Sequence, residues 1–241
     1  MTKNSDISLS IWEHITELRS VLLKILSFAA FGMLLALCFH TKIFEILAYP
    51  YQELSDHKNA LVILTPFEGI ATLLNTCFWI GLVGTSPFWL YFIYQFIAPA
   101  LEVKHRRMVI PFVFLSLLSM VFGFFVAFYL TIPLANHYLM DINSHLGTNF
   151  WSLSEYVNYT ILLLFANGLA FELSVILFFL VHYGFISQKS LKQHRKFAII
   201  CIFILSAILT PPDVLTQVLL AIPLMIIYEG AILYSRFINV P

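Results

Sequence analysis

The sequence predicts an all-α polytopic membrane protein with six transmembrane helices and both termini in the cytoplasm. Three observations carry that prediction. First, 60% of the 241 residues are hydrophobic, 16% are aromatic and only 11% are charged, with a mean hydropathy of +0.89, whereas soluble domains carry about 25% charged residues. Second, six apolar stretches can be read, at about 21–39, 70–100, 109–135, 155–181, 197–210 and 214–234. Third, of the 13 Lys and Arg residues, all but Lys42 and Lys58 fall on the side that holds both ends of a six-span chain. Basic loops stay in the cytoplasm, so both termini are placed there. The net charge of zero hides this asymmetry. No linker, repeat or low-complexity tract interrupts the chain, which reads as a single membrane domain over 1–241.

At the N-terminus, no short apolar core with a small-residue cleavage site is present, so no cleaved signal peptide is expected. Residues 1–20 instead read as a cytoplasmic amphipathic helix leading into the first span. Ser10 and Glu13 have capping-box spacing, and Ile11, Ile15, Leu18 and Leu22 share one face. Trp12 is placed as the belt residue at the membrane interface. The second stretch is long enough to include a break near Pro87 and is expected to end at Pro99. Thr65-Pro66-Phe67-Glu68 has the form of a capping box with proline at the first helical position, which starts that helix outside the membrane. Ser152-Leu153-Ser154-Glu155 does the same for the fourth span, and Thr210-Pro211-Pro212-Asp213 for the sixth. The loops at about 40–69 and 136–154 are the long external ones. Their aromatic residues Tyr49, Tyr51, Phe67, Phe150 and Trp151 point to an ordered external cap.

The last two stretches are short. Phe197–Thr210 as a helix reaches about 21 Å, and Val214–Tyr228 is little longer before Glu229 interrupts it. A hydrocarbon core is roughly 30 Å thick. The hairpin must therefore thin the bilayer, tilt, or open a polar notch holding Thr210, Asp213 and Gln217. Glu172 lies deep in the fourth stretch, where a charge costs from ~2.5 kcal/mol upward, so it must face protein or water. Asn167 and Ser174 are its polar neighbours in sequence.

Other chemistries lack their residue patterns. There is no G-x-S-x-G, H-E-x-x-H or G-x-x-x-x-G-K sequence. The eight histidines are scattered and the three cysteines have no metal or redox spacing. Neither an enzyme, a cofactor, a metal site nor nucleic-acid binding is expected.

Several segments together resemble the TatC family, the signal-recognition core of the twin-arginine protein translocase. They are His14-Ile15-Thr16-Glu17-Leu18-Arg19, Pro50, Leu64-Thr65-Pro66 with Glu68, and Phe96-Ile97-Ala98-Pro99-Ala100-Leu101 followed by Arg106-Arg107. Phe171-Glu172 and Leu209-Thr210-Pro211-Pro212-Asp213, with Gln217, Pro223 and Glu229, complete the set in order along nearly the whole chain.

The resemblance implies a glove-shaped bundle in a bacterial cytoplasmic (inner) membrane, with short fifth and sixth helices. It implies a receptor for twin-arginine signal peptides and export of folded proteins driven by the proton-motive force. The implied partners are the single-span proteins TatA and TatB, further copies of the chain, and membrane lipid. By similarity, Glu17 contacts the arginine pair, Arg19 and Phe96 line the same cytoplasmic site, and Glu172 faces the membrane cavity. Thr210 and Gln217 form a docking cluster for a partner helix, while Pro50, Glu68 and Asp213 are structural. Two positions depart from the family pattern. The second recognition glutamate is His105 here, with Glu102 three residues earlier, so either residue is a candidate to face the second arginine. A family glutamine in the second span is Phe92, with Gln95 nearby. The alternative function is a proton-coupled secondary transporter built on Glu172 and the break at Pro211; against it, the two halves show no repeat.

Overall fold

A computed structural model describes residues 11–54, 61–97, 109–148, 150–210 and 213–238. The expected Ser10 cap, Pro99, Glu102, His105 and the Pro211-Pro212 pair lie outside these residues. The chain falls into two compact units, one of residues 1–38 and 77–113, the other of residues 39–76 and 114–241.

In the first unit, α1 (Ile11–Cys38) packs against α4 (Ser86–Ile97) and the end of α3 (Glu68–Gly84). Glycine sets how closely α1 and α3 meet. A Cβ on Gly32 would strike Gly81 O, and one on Gly81 would lie 2.8 Å from Met33 Cα. Backbone cannot swing aside as a side chain can, so both positions need to lack a Cβ. The break foreseen near Pro87 occurs at Thr85, where α3 and α4 meet at 56°. Thr85 Oγ1 donates to Gly81 O at 2.9 Å, and Trp89 Nε1 donates to Leu82 O at 2.9 Å. Gly81 O also accepts from Thr85 N at 3.0 Å, while the Trp89 bond occupies a carbonyl near the end of α3, where backbone donors run out. Phe28 stacks on Phe88 with ring centroids 4.6 Å apart, and Lys24 Nζ lies 5.5 Å from the Phe92 centroid. Phe92 thus offers an aromatic face to a cation.

In the second unit, α2 (His40–Leu54) carries Pro50 inside the helix, buried beside Tyr51. The third span, α5 (Val109–Val126), passes through a π-helical turn at Ala127–Thr131 into α6 (Ile132–Leu146). Pro133 comes directly after that wide turn; its ring would strike the carbonyl of Tyr129 in a regular helix. The helix therefore runs well past residue 135, where the sequence suggests an external loop. Asn136, Asp141 and Asn143 end the apolar stretch without ending the helix.

Beyond it lie α7 (Leu153–His182), the short α8 (Gln188–Gln193), α9 (Arg195–Leu209) and α10 (Val214–Phe237). Ala166, Ala170, Leu220 and Leu224 form a core between α7 and α10, with Ile202, Leu205 and Leu209 of α9 against it. A Cβ on Gly123 of α5 would lie 2.8 Å from Asn167 O of α7. Among the described residues, four helices are long and apolar enough to cross a membrane, and the bent α3–α4 pair passes the same test together. The remaining expected span, α9, has 15 residues and reaches about 22 Å. By contrast α10 is a helix of 24 residues. It is not the short element expected, because Glu229 shortens its apolar stretch and leaves the helix intact.

Candidate functional site

Three groups of polar side chains stand out, each inside one unit. In the first unit, α1 presents Glu17 half-buried and Arg19 exposed, and α4 brings Phe96. The His14 ring stacks on Phe96 at 4.4 Å with 15° between the planes. His14 Nδ1 is 4.0 Å from Glu17 Oε2. His14 and Glu17 lie one turn apart on α1, so they share a face. A carboxylate beside a flat aromatic–imidazole stack suits a guanidinium, which is planar and takes both ionic and stacking contacts. The sequence placed Glu17, Arg19 and Phe96 together. It gave no role to His14, whose i, i+3 spacing to Glu17 was the available signal.

The second group surrounds Glu172, which is half-buried on α7. Its expected neighbours are occupied elsewhere. Asn167 Nδ2 donates to Leu163 O and Ser174 Oγ to Ala170 O, each at 2.9 Å. Both bonds return to their own helix, a habit of short polar side chains in apolar helices. Ser119 Oγ of α5 donates to Phe171 O at 2.9 Å, the residue before Glu172.

The α9–α10 hairpin forms the third group. Thr210 is buried and its Oγ1 donates to Ser206 O at 2.8 Å; Gln217 Nε2 crosses to Phe203 O at 3.1 Å. Asp213 is the N-cap of α10, with Oδ1 accepting from Thr216 N at 2.8 Å and Oδ2 from Thr216 Oγ1 at 2.5 Å. The expected box started by Thr210 is corrected by three residues: Thr210 closes α9, and Asp213 itself opens α10. Asp213 takes extended dihedrals, the backbone state from which a short carboxylate reaches the first free amides of the next helix.

Glu68 does more than close a box. Its Oε2 accepts from Leu64 N at 2.6 Å and Thr65 N at 3.2 Å, as the spacing predicts. Oε1 accepts from Ser152 Oγ at 2.7 Å and Ser154 N at 3.0 Å, on the far side of the chain. These donors, led by Ser152, hold its carboxyl down at about 2. Beside it, Val62 and Trp151–Leu153 exchange two backbone bonds of 2.9 Å. At the other end of the unit, Arg195 Nε donates to Glu229 Oε1 at 2.5 Å, and Tyr228 OH donates to Leu191 O at 2.8 Å.

Long apolar helices, glycine-tight crossings and carboxylates that cap helix ends define a multi-pass helical membrane protein without a catalytic constellation among its described residues. Residues 13–223 match the family model described as Sec-independent protein translocase protein (TatC). The Sec-independent protein translocase protein TatC of Desulforapulum autotrophicum is 32% identical over 93% of this chain and 83% of its own length. That of Aquifex aeolicus is 34% identical over 93% of each. A crystal structure of the twin-arginine translocase receptor TatC superposes with a TM-score of 0.82 at 33% identity, covering 94% of this chain and 100% of the other. The chain belongs to the TatC family, whose members are components of protein translocation and not enzymes.

Proposed function

We propose that the chain is the receptor for twin-arginine signal peptides and the core subunit of a translocase that exports folded proteins at the expense of the proton-motive force. The observation that carries this reading is the Glu17 carboxylate beside the His14–Phe96 stack, in a chain of this family. A guanidinium of the signal contacts Glu17 and lies against the aromatic face, with Arg19 bordering the site. The second guanidinium meets Glu102 or His105. TatA and TatB are the partner subunits, and Thr210 and Gln217 mark where a partner helix docks. The membrane is the bacterial cytoplasmic one, and the distribution of Lys and Arg supports both termini inside.

Peptide binding to the purified protein tests the reading. A peptide with adjacent arginines should bind well above its Lys-Lys counterpart, because lysine lacks the planar fork. Glu17→Ala should remove most of that preference, and His105→Glu should tighten binding if residue 105 faces the second arginine. Equal binding of the two peptides would refute the receptor assignment.

A further inference from the structure

We infer that Tyr51, Asn136, Trp151 and Thr160 enclose an internal water-binding site around the Tyr156 hydroxyl, between α2, α6 and α7. Five side-chain atoms carry the inference: Tyr51 Oη, Asn136 Nδ2 and Oδ1, Trp151 Nε1 and Thr160 Oγ1. All five are withdrawn from the surface and have no protein partner in hydrogen-bond geometry among the described residues. Asn136 and Thr160 are 0% exposed and Tyr51 1%. Buried polar groups are rarely left so, and a cluster of them in one place is rarer.

The residues that carry these atoms meet around one side chain, Tyr156. The Tyr51 ring centroid lies 5.4 Å from that of Tyr156, and the Trp151 centroid 5.9 Å. Asn136 and Thr160 both face the Tyr156 hydroxyl, whose oxygen can accept a hydrogen bond from either side chain. That hydroxyl donates its only proton to Leu47 O at 2.9 Å, so it has none to give Asn136 Oδ1 or Tyr51 Oη. Asn136 brings two donor hydrogens and a carbonyl, Trp151 a donor, and the two hydroxyls can do either. A ligand that satisfies this mixture must itself both donate and accept in a small space. Water does so, commonly with about three bonds at each buried position. No charged side chain is among the five, so nothing there would hold an ion, and an apolar occupant would leave Tyr51 Oη, Asn136 Oδ1 and Trp151 Nε1 unsatisfied.

X-ray radiolytic footprinting of the intact protein in nanodiscs tests this, because hydroxyl radicals born from a bound water mark its neighbours even when bulk solvent cannot reach them. Tyr228 is the internal control: it is also buried, but its hydroxyl donates to Leu191 O within an apolar cluster. Tyr51 and Tyr156 should be oxidised several-fold faster than Tyr228. Asn136→Leu, which removes three of the available hydrogen-bonding sites while keeping the branched heavy-atom skeleton, should bring both rates down toward the control. A variant that misfolds would raise Tyr228 as well, and Thr160→Val then serves in its place. Wild-type Tyr51 and Tyr156 reacting as slowly as Tyr228 would overturn the proposal.

Discussion

Ser152 Oγ donates to Glu68 Oε1 across 2.7 Å, between residues 84 positions apart. The same carboxylate also takes the backbone donors of Leu64, Thr65 and Ser154, so one side chain fastens the start of α3 to the start of α7. A pattern that reads locally as a helix cap is a tertiary clasp.

The clasp has a pH signature. The carboxyl of Glu68 is lowered from 4.5 to about 2 in the folded protein. A depressed folded value means stabilisation that is complete above the unfolded value and is lost as pH falls through the folded one. Wild-type thermal stability should therefore decline between pH 4.5 and 2, and Glu68→Gln should lose that part of the decline while melting lower at neutral pH. Ser152→Ala, which removes one donor of the four, should have a smaller effect. Identical melting of wild type and Glu68→Gln at neutral pH would refute the clasp.

Asp213 should matter as a cap and not as a charge. Asp213→Ala removes both acceptors of Thr216 and should cost about 0.5–2 kcal/mol, the usual range for losing an N-cap. Asp213→Asn keeps one carbonyl acceptor and should retain most of the stability. Equal losses in chemical unfolding of the two variants would argue for a role of the charge itself.

Gly81→Ala should be among the more damaging small substitutions in the first unit. The added methyl meets the Met33 backbone, which cannot rotate away, and overpacking of this kind costs typically about 1–3 kcal/mol. Gly84→Ala is the matched control, since a Cβ there meets nothing within 4 Å. Comparable unfolding midpoints for the two variants would contradict the close crossing.

Removing one partner of the Arg195–Glu229 pair should change little. Its side chains are 56% and 39% exposed, and exposed pairs are worth about 0–1 kcal/mol because water and salt screen them. Glu229→Gln should shift the unfolding free energy by less than about 1 kcal/mol. A larger loss would show that the pair is shielded in the membrane-embedded protein.

Glu172 sits half-buried on a helix otherwise made largely of apolar residues, where hydrogen-bonding capacity is the scarce property. Glu172→Gln should retain much more protein export in cells than Glu172→Leu. Equal loss in both, at matched protein levels, would show that the carboxylate itself is required.

The sequence by itself determined the class of protein, the apolar stretches, the break near Pro87 and the caps at Ser152 and Glu68. These are legible because they depend on transfer free energy and on donors and acceptors three or four residues apart. Its likeness to a family made Glu17, Arg19 and Phe96 candidates for one site. Tertiary structure decided what local patterns cannot. Helix α6 continues past its apolar residues because helical hydrogen bonding does not require a hydrophobic side chain. Helix α10 passes through Glu229, whose charge meets Arg195 from another helix. Asn167 and Ser174 bond back to their own turns, so proximity to Glu172 in sequence did not make them its partners. His14 joined the candidate site because α4 brings the Phe96 ring against it. Apart from the continuation of α6, each of these rests on a contact between residues far apart in the chain or on a choice among several acceptors, and only the packed helices fix which is made.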